Sequence, residues 1–447
     1  MNQAISEHNS GFKSVKNFLF KPTSIAPLIT FRVIFGALML FSVTRFWYMG
    51  WIEDLYINPE VHFPFFGWSF IQALPGIGMY LVFGLMGLAA LNILLGLFYR
   101  ASAITYFTLF TYVELIDIST YLNHYYFVSL VAFWMIWVPA NRAWSLDVLL
   151  KPSMRRHEVE NWTIFIFQFQ LAIVYFYAGL AKINSDWLLR AMPMSIWLPA
   201  RSNMPLIGSF LALPWVAFVF SWCGLLYDLF VPFLLWNKRA RPMAYLAVLV
   251  FHIFTWLLFQ IGVFPWVMIG LTLVFFSANW HNRVWKINTK VQASRSKTNR
   301  PIILGALVIY GLLQLLIPFR FALYPGDLFW KEQGYRFSWR VMLMEKAGSI
   351  TFKVEDLKTS RKSIVDHQEF LTPLQEKQMS TQADMIHMTA LIIKDRYQTL
   401  GLDSIAIYAD SFVTLNGSGS RPFVKSDVDL LSLKNPYFDR SWVHDWE

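Results

Sequence analysis

Residues 162–187 read WTIFIFQFQLAIVYFYAGLAKINSDW, and this stretch decides the fold. From Trp162 to Ala181 it carries no charge. A helix needs about 20 apolar residues to cross the hydrocarbon core of a bilayer. Lys182 follows at once. A lysine at membrane depth is costly and marks a functional site by default. Desolvation favours the neutral amine, the form that accepts a proton. The bland alternative is a helix-end lysine whose ammonium reaches up to the membrane surface.

Runs of the same kind recur in both directions. Hydrophobic residues make up 56% of the chain and charged residues 15%, against about 25% charged in soluble domains. The pattern predicts an α-helical polytopic membrane bundle of about nine spans. These are residues 24–48, 79–98, 101–118, 121–140, 162–183, 210–236, 243–259, 263–278 and 301–319. Ahead of them Phe12, Val15, Phe18 and Leu19 recur at helical spacing among lysines, as in an interfacial helix. The lone cysteine, Cys223, lies in an apolar run and excludes an intramolecular disulfide.

Basic residues alternate along the connections. Lys13, Lys16 and Lys21 precede the first span. Arg100, then Lys151, Arg155 and Arg156, then Lys238, Arg239 and Arg241, then Arg283 to Arg300 follow the second, fourth, sixth and eighth. The other connections are mixed or acidic, as at Glu53, Asp54 and Glu60. The alternation predicts a cytoplasmic N-terminus and a tail on the far side of the membrane. The net charge of +10 is largely this bias, and no nucleic acid is expected as a partner.

The expected domains are 1–320, in the membrane, and 321–447, a small extracytoplasmic α+β domain. In the tail, residues 350–354 alternate like a strand and 382–396 have helical periodicity. Residues 405–415 again read as a strand, closed by the turn-rich 416–419. No phosphate loop and no metal-ligand spacing is present in the sequence, so no metal is expected.

Topology groups the polar residues. Asn123 and His124 open the fourth span on the outer side, and Lys182 closes the fifth there. His252 lies about 15 Å into the seventh, at mid-bilayer depth. A cavity opening outward follows, with residues 333–339 of the tail nearby. Each residue also has a plain role. His124 caps a helix, His252 is a satisfied core histidine, Arg45 reaches up to the surface, and Asp228 pairs with Arg32 as structural glue.

Several blocks carry a resemblance. FRVIFG (31–36), LNHYY (122–126), IVYFYAGLAK (173–182), FH (251–252) and FQIG (259–262) lie in the spans. GY (334–335), SW (338–339), NP (435–436) and RSWV (440–443) lie in the tail. Together they resemble the vitamin K-dependent gamma-glutamyl carboxylases and their bacterial homologues over almost the whole chain. The resemblance implies a multi-pass enzyme of the inner membrane, a carboxylase of the carbon–carbon lyase type. Its cofactors would be reduced vitamin K (phylloquinol or menaquinol), O2 and CO2. Quinol oxygenation to the epoxide would drive removal of a glutamate γ proton. The bilayer, a naphthoquinol and a glutamate-containing peptide or protein would be its partners.

Lys182 matches the family's base, and His124 the histidine that orients the glutamate carboxylate or meets developing negative charge. Asn123, His252, Tyr335, Trp339 and Met342 fall at substrate and cofactor contacts. One departure is Ala181–Lys182, where the eukaryotic enzymes carry two lysines. Two alternatives remain: a quinol epoxidase that does not carboxylate protein, and a non-catalytic quinone- or lipid-binding protein.

Overall fold

Proline opens many of the helices. Its fixed φ suits the first turn, where its missing N–H leaves no bond unmade. Pro27, Pro214, Pro242, Pro265 and Pro301 each stand there. The computed structural model describes residues 13–259, 261–287 and 299–446. Its long membrane-domain helices are α1 (Ala26–Tyr48), α2 (Ile77–Leu95), α3 (Tyr99–Ile116) and α4 (Asn123–Trp137). They continue with α5 (Trp162–Ala181), α6 (Pro214–Trp236), α7 (Arg241–Leu258), α8 (Phe264–Thr272) and α9 (Arg300–Leu316).

Each expected span thus coincides with a helix, but not every helix is a full crossing by length and composition. Among the described residues 6 helices qualify: α1, α2, α5, α6, α7 and α9 with its continuation to Leu323. The α3 helix is long enough but too polar, with Arg100 and Glu114 in it. The α4 helix has only 15 residues, and α8 with its 3-10 extension spans just Phe264–Phe275. The protein is a multi-pass membrane protein; 6 helices among the described residues are long and apolar enough to cross, and the expected nine spans are not confirmed. Residues 13–20 are helical, while Phe12, at the start of the expected interfacial helix, lies outside the described residues. So does Gln260 of the FQIG block.

Two strands fix one end of the bundle. β1 (Pro22–Ser24) pairs antiparallel with β2 (Glu158–Glu160), joining the starts of α1 and α5. The tail holds the other end. It contains β3 (Lys346–Asp356), β4 (Lys362–Val365), β5 (Ile405–Leu415) and β6 (Arg421–Pro422) in the antiparallel order β4-β3-β5-β6. Helices α10 (Pro373–Met379) and α11 (Ala383–Thr399) accompany the sheet.

The tail is tied down by hydrogen bonds. Gln375 donates to Val61 O at 2.8 Å and to Asp117 at 2.9 Å. Asn416 donates to Asp186 at 2.7 Å, and Trp197 to Glu345 at 2.6 Å. Phe63 and Ile118 of the membrane domain share a core with the sheet, including Phe352 and Ile407.

Candidate functional site

One glycine sets the heart of the site. A Cβ on Gly179 of α5 would stand 2.7 Å from the backbone nitrogen of Leu229 on α6. Only the absence of a side chain lets the two backbones come this close. The approach brings Asp228 to the C-terminal end of α5. There Lys182 Nζ donates to Asp228 Oδ2 at 2.7 Å and to Ala178 O at 3.1 Å. Both side chains are buried. This corrects the pairing expected for Asp228. Arg32 instead donates to Trp144 O, and its Nε and Nη1 have no hydrogen-bond partner among the described residues.

The pair borders a cavity of about 390 Å³ walled by α5, α6, α7 and α8. The lining is apolar and aromatic, with Tyr227 stacked on Phe251 at 4.1 Å. His252 also borders it, and its Nε2 lies 3.1 Å from the Tyr175 hydroxyl. An apolar chamber with few polar groups is the usual form of a small-molecule site.

His124 lies elsewhere. It faces a smaller cavity of about 140 Å³, with Arg45, Tyr125 and Val128. Its ring stacks on Phe264, 5.0 Å between centroids. Phe264 and Ile261 border both cavities, so the two chambers adjoin across these side chains. Arg45 lies over the Trp51 ring at 4.4 Å and has no acidic partner among the described residues. It borders the chamber rather than only reaching to the surface.

The tail reaches the larger cavity through residues 334–342. Met342 and Val341 line it. Their loop is held in an uncommon conformation, with positive φ at Phe337, Trp339 and Met342. Such backbone strain persists only where surrounding contacts over-determine it. Here Asn123 donates to Arg340 O at 2.8 Å, the Tyr121 hydroxyl accepts from Phe337 N at 2.7 Å, and Trp339 stacks on Tyr126 at 4.9 Å. Asn123 thus holds the loop, and Trp339 packs beneath it. Tyr335 borders neither chamber, and burial pushes its phenol up from the ordinary range.

Of the residues singled out in the sequence, Lys182, His252 and Met342 meet in one chamber. His124 stands next door, and Asn123, Trp339 and Tyr335 support or flank. Sequence reasoning missed Asp228 as the partner of Lys182 and Arg45 as a lining residue of the chamber that His124 faces. The available signal for Asp228 was Gly179, three residues before Lys182 and on the same helix.

The HTTM domain model matches residues 20–280, more than half of the chain, and the model of the vitamin K-dependent gamma-carboxylase lumenal domain matches residues 299–447. No solved structure matches the chain. The helices around both chambers fall in the first match and the loop carrying Met342 in the second, and the protein belongs to the vitamin K-dependent gamma-carboxylase family.

Proposed function

We propose that the protein is a membrane carboxylase that couples oxygenation of reduced vitamin K to γ-carboxylation of glutamate. The observation that carries this reading is Lys182, hydrogen-bonded to Asp228 at the edge of an apolar cavity of about 390 Å³. When bound, the quinol supplies the oxygen-derived base that removes the glutamate γ proton, and it leaves as the epoxide.

The protein's own groups have distinct tasks. A neutral lysine amine has two N–H groups and one lone pair. With both N–H groups spent on Ala178 O and Asp228, the lone pair is left to take the quinol hydroxyl proton. Asp228 then stabilises the ammonium that forms. Tyr175 fixes the His252 ring on the chamber wall. In the smaller chamber, Arg45 and His124 would hold the glutamate carboxylate, a charge that a guanidinium matches well. The tail and this chamber would face the extracytoplasmic side of the inner membrane, with the N-terminus cytoplasmic.

A second reading has its own support. Phe264 and Ile261 stand between the two chambers, an arrangement that also suits quinol epoxidation without protein carboxylation. One assay separates the readings. Purified protein is given reduced vitamin K, oxygen, labelled bicarbonate and a short glutamate peptide, and epoxide and fixed label are both followed. Both products support carboxylation. Epoxide alone supports the second reading, and quinone binding without turnover defeats both.

A further inference from the structure

The larger chamber is polar at one end and lipid-facing at the other. Lys182, Asp228 and His252 are buried. On the helices that carry Asp228 and His252, Val219 and Cys223 lie four residues apart on α6, and Ala247, Val250 and Phe254 follow at helical spacing on α7. All five border the chamber, and all five are exposed. Val219 is 45%, Val250 48% and Phe254 42% exposed. The outer faces of the same helices carry Trp215, Trp222, Leu246 and Leu257, apolar side chains suited to bilayer lipid. Side chains that border an inner chamber while exposed on this surface mark a lateral mouth. Four of the five are small, on helices whose outer faces are otherwise rich in Trp, Phe and Leu, so the seam between α6 and α7 is narrow in side chains where it meets the chamber.

We propose that this seam is the entrance by which the quinol leaves the bilayer, and the seat of its hydrocarbon tail. The inference rests on the quinol reading above. The ring would lie against Lys182, and the phytyl or prenyl chain would run out between Val219 and Cys223 on one side and Val250 and Phe254 on the other. The ligand class is thus an amphiphile with a compact polar head and an extended apolar tail. No apolar tail then has to cross water.

The test compares two ligands on purified protein: a phytyl-tailed naphthoquinone and tail-less menadione. Binding is measured for the wild type, Val250→Trp and Cys223→Trp, with Val219→Phe as a milder variant in case either tryptophan prevents folding. The expected result is a loss of affinity about tenfold larger for the tailed ligand than for menadione. Phe254→Ala, which widens the mouth, should speed association of the tailed ligand about threefold relative to menadione. Equal changes for both ligands, or none, overturn the mouth while leaving the quinol reading intact. A wild type that binds neither naphthoquinone overturns both.

Discussion

Two buried acid–base pairs, one in the membrane helices and one in the tail, are built to opposite specifications. In the tail, Arg336 donates to Asp384 Oδ2 at 2.6 Å and also to Gln382, and the other oxygen of Asp384 accepts from Met385 N at 3.0 Å. Burial alone would raise the Asp384 carboxyl, but Arg336 and Arg440 outweigh it and hold it down at about 2. Such a pair locks a scaffold. In the membrane, Lys182 has Asp228 and one carbonyl, and both residues border a cavity. A buried acid–base pair with bonding capacity left over is poor structural glue and good chemistry. The location of the spare capacity, more than the burial of charge, separates the two.

The largest expected effect breaks the membrane pair. Lys182→Ala should lower epoxide formation by at least about 100-fold, the scale of a lost general base. It also strands Asp228, at a cost of about 3–5 kcal/mol in stability. The double variant Lys182→Met with Asp228→Leu should regain most of that stability and none of the activity. Thermal unfolding in detergent together with epoxide assays reads both. Near-wild-type turnover by Lys182→Ala would end the assignment of Lys182 as the base.

The tail pair predicts a pH limb instead. The carboxyl of Asp384, at about 2, lies below its ordinary 3.8. Its stabilising contribution is therefore complete above about pH 4 and is lost as pH falls through about 2, amounting to about 2 kcal/mol. Hydrogen exchange in β3 and β5 should accelerate over that window in the wild type. In Asp384→Asn the amides should exchange faster at neutral pH and show a smaller acid step. An unchanged acid step in that variant would remove Asp384 from the account.

A smaller effect tests the division between the chambers. On the proposed division of the chambers, His124→Ala should lower the ratio of fixed carbon dioxide to epoxide about tenfold, because it would touch the glutamate side and leave the larger chamber standing. Arg45→Ala should act in the same direction and raise the KM for the glutamate peptide. A parallel fall in quinone binding would place His124 with the quinol instead.

Much of this was legible in the sequence because apolar length and charge alternation are one-dimensional signals. The alternation over residues 405–415 predicts a strand, and β5 occupies Ile405–Leu415. Each expected span found its helix, yet length and polarity left α3, α4 and α8 short of a full crossing on their own. Pairing was less legible. Asp228 and Lys182 are 46 positions apart, and no periodicity links them; the link is the missing Cβ of Gly179. His124 and Lys182 were expected in one cavity because depth was the only coordinate that sequence supplies. The stacking of Phe264 on His124, which divides the space, is a lateral fact that depth does not contain.

The gentlest test leaves chemistry alone and asks only where the tail lies. The alternation of basic residues predicts a tail outside the cytoplasm. The fold ties it to Asp117 just after α3, to Asn123 at the start of α4 and to Asp186 just beyond α5. Ser418 Oγ accepts from Leu415 N at 3.1 Å, so a probe there would disturb the end of β5. Ser420 is exposed, two residues on. In a variant with Cys223 replaced by alanine, Ser420→Cys should react with an impermeant thiol reagent in intact spheroplasts. Carboxylase and epoxidase activities should stay within about twofold of the alanine background, as is usual for an exposed site away from packed contacts. Labelling only after the membrane is broken would put the tail, Met342 and the end of α4 that carries Asn123 and His124 on the cytoplasmic side. A secreted glutamate substrate would then have no route to them.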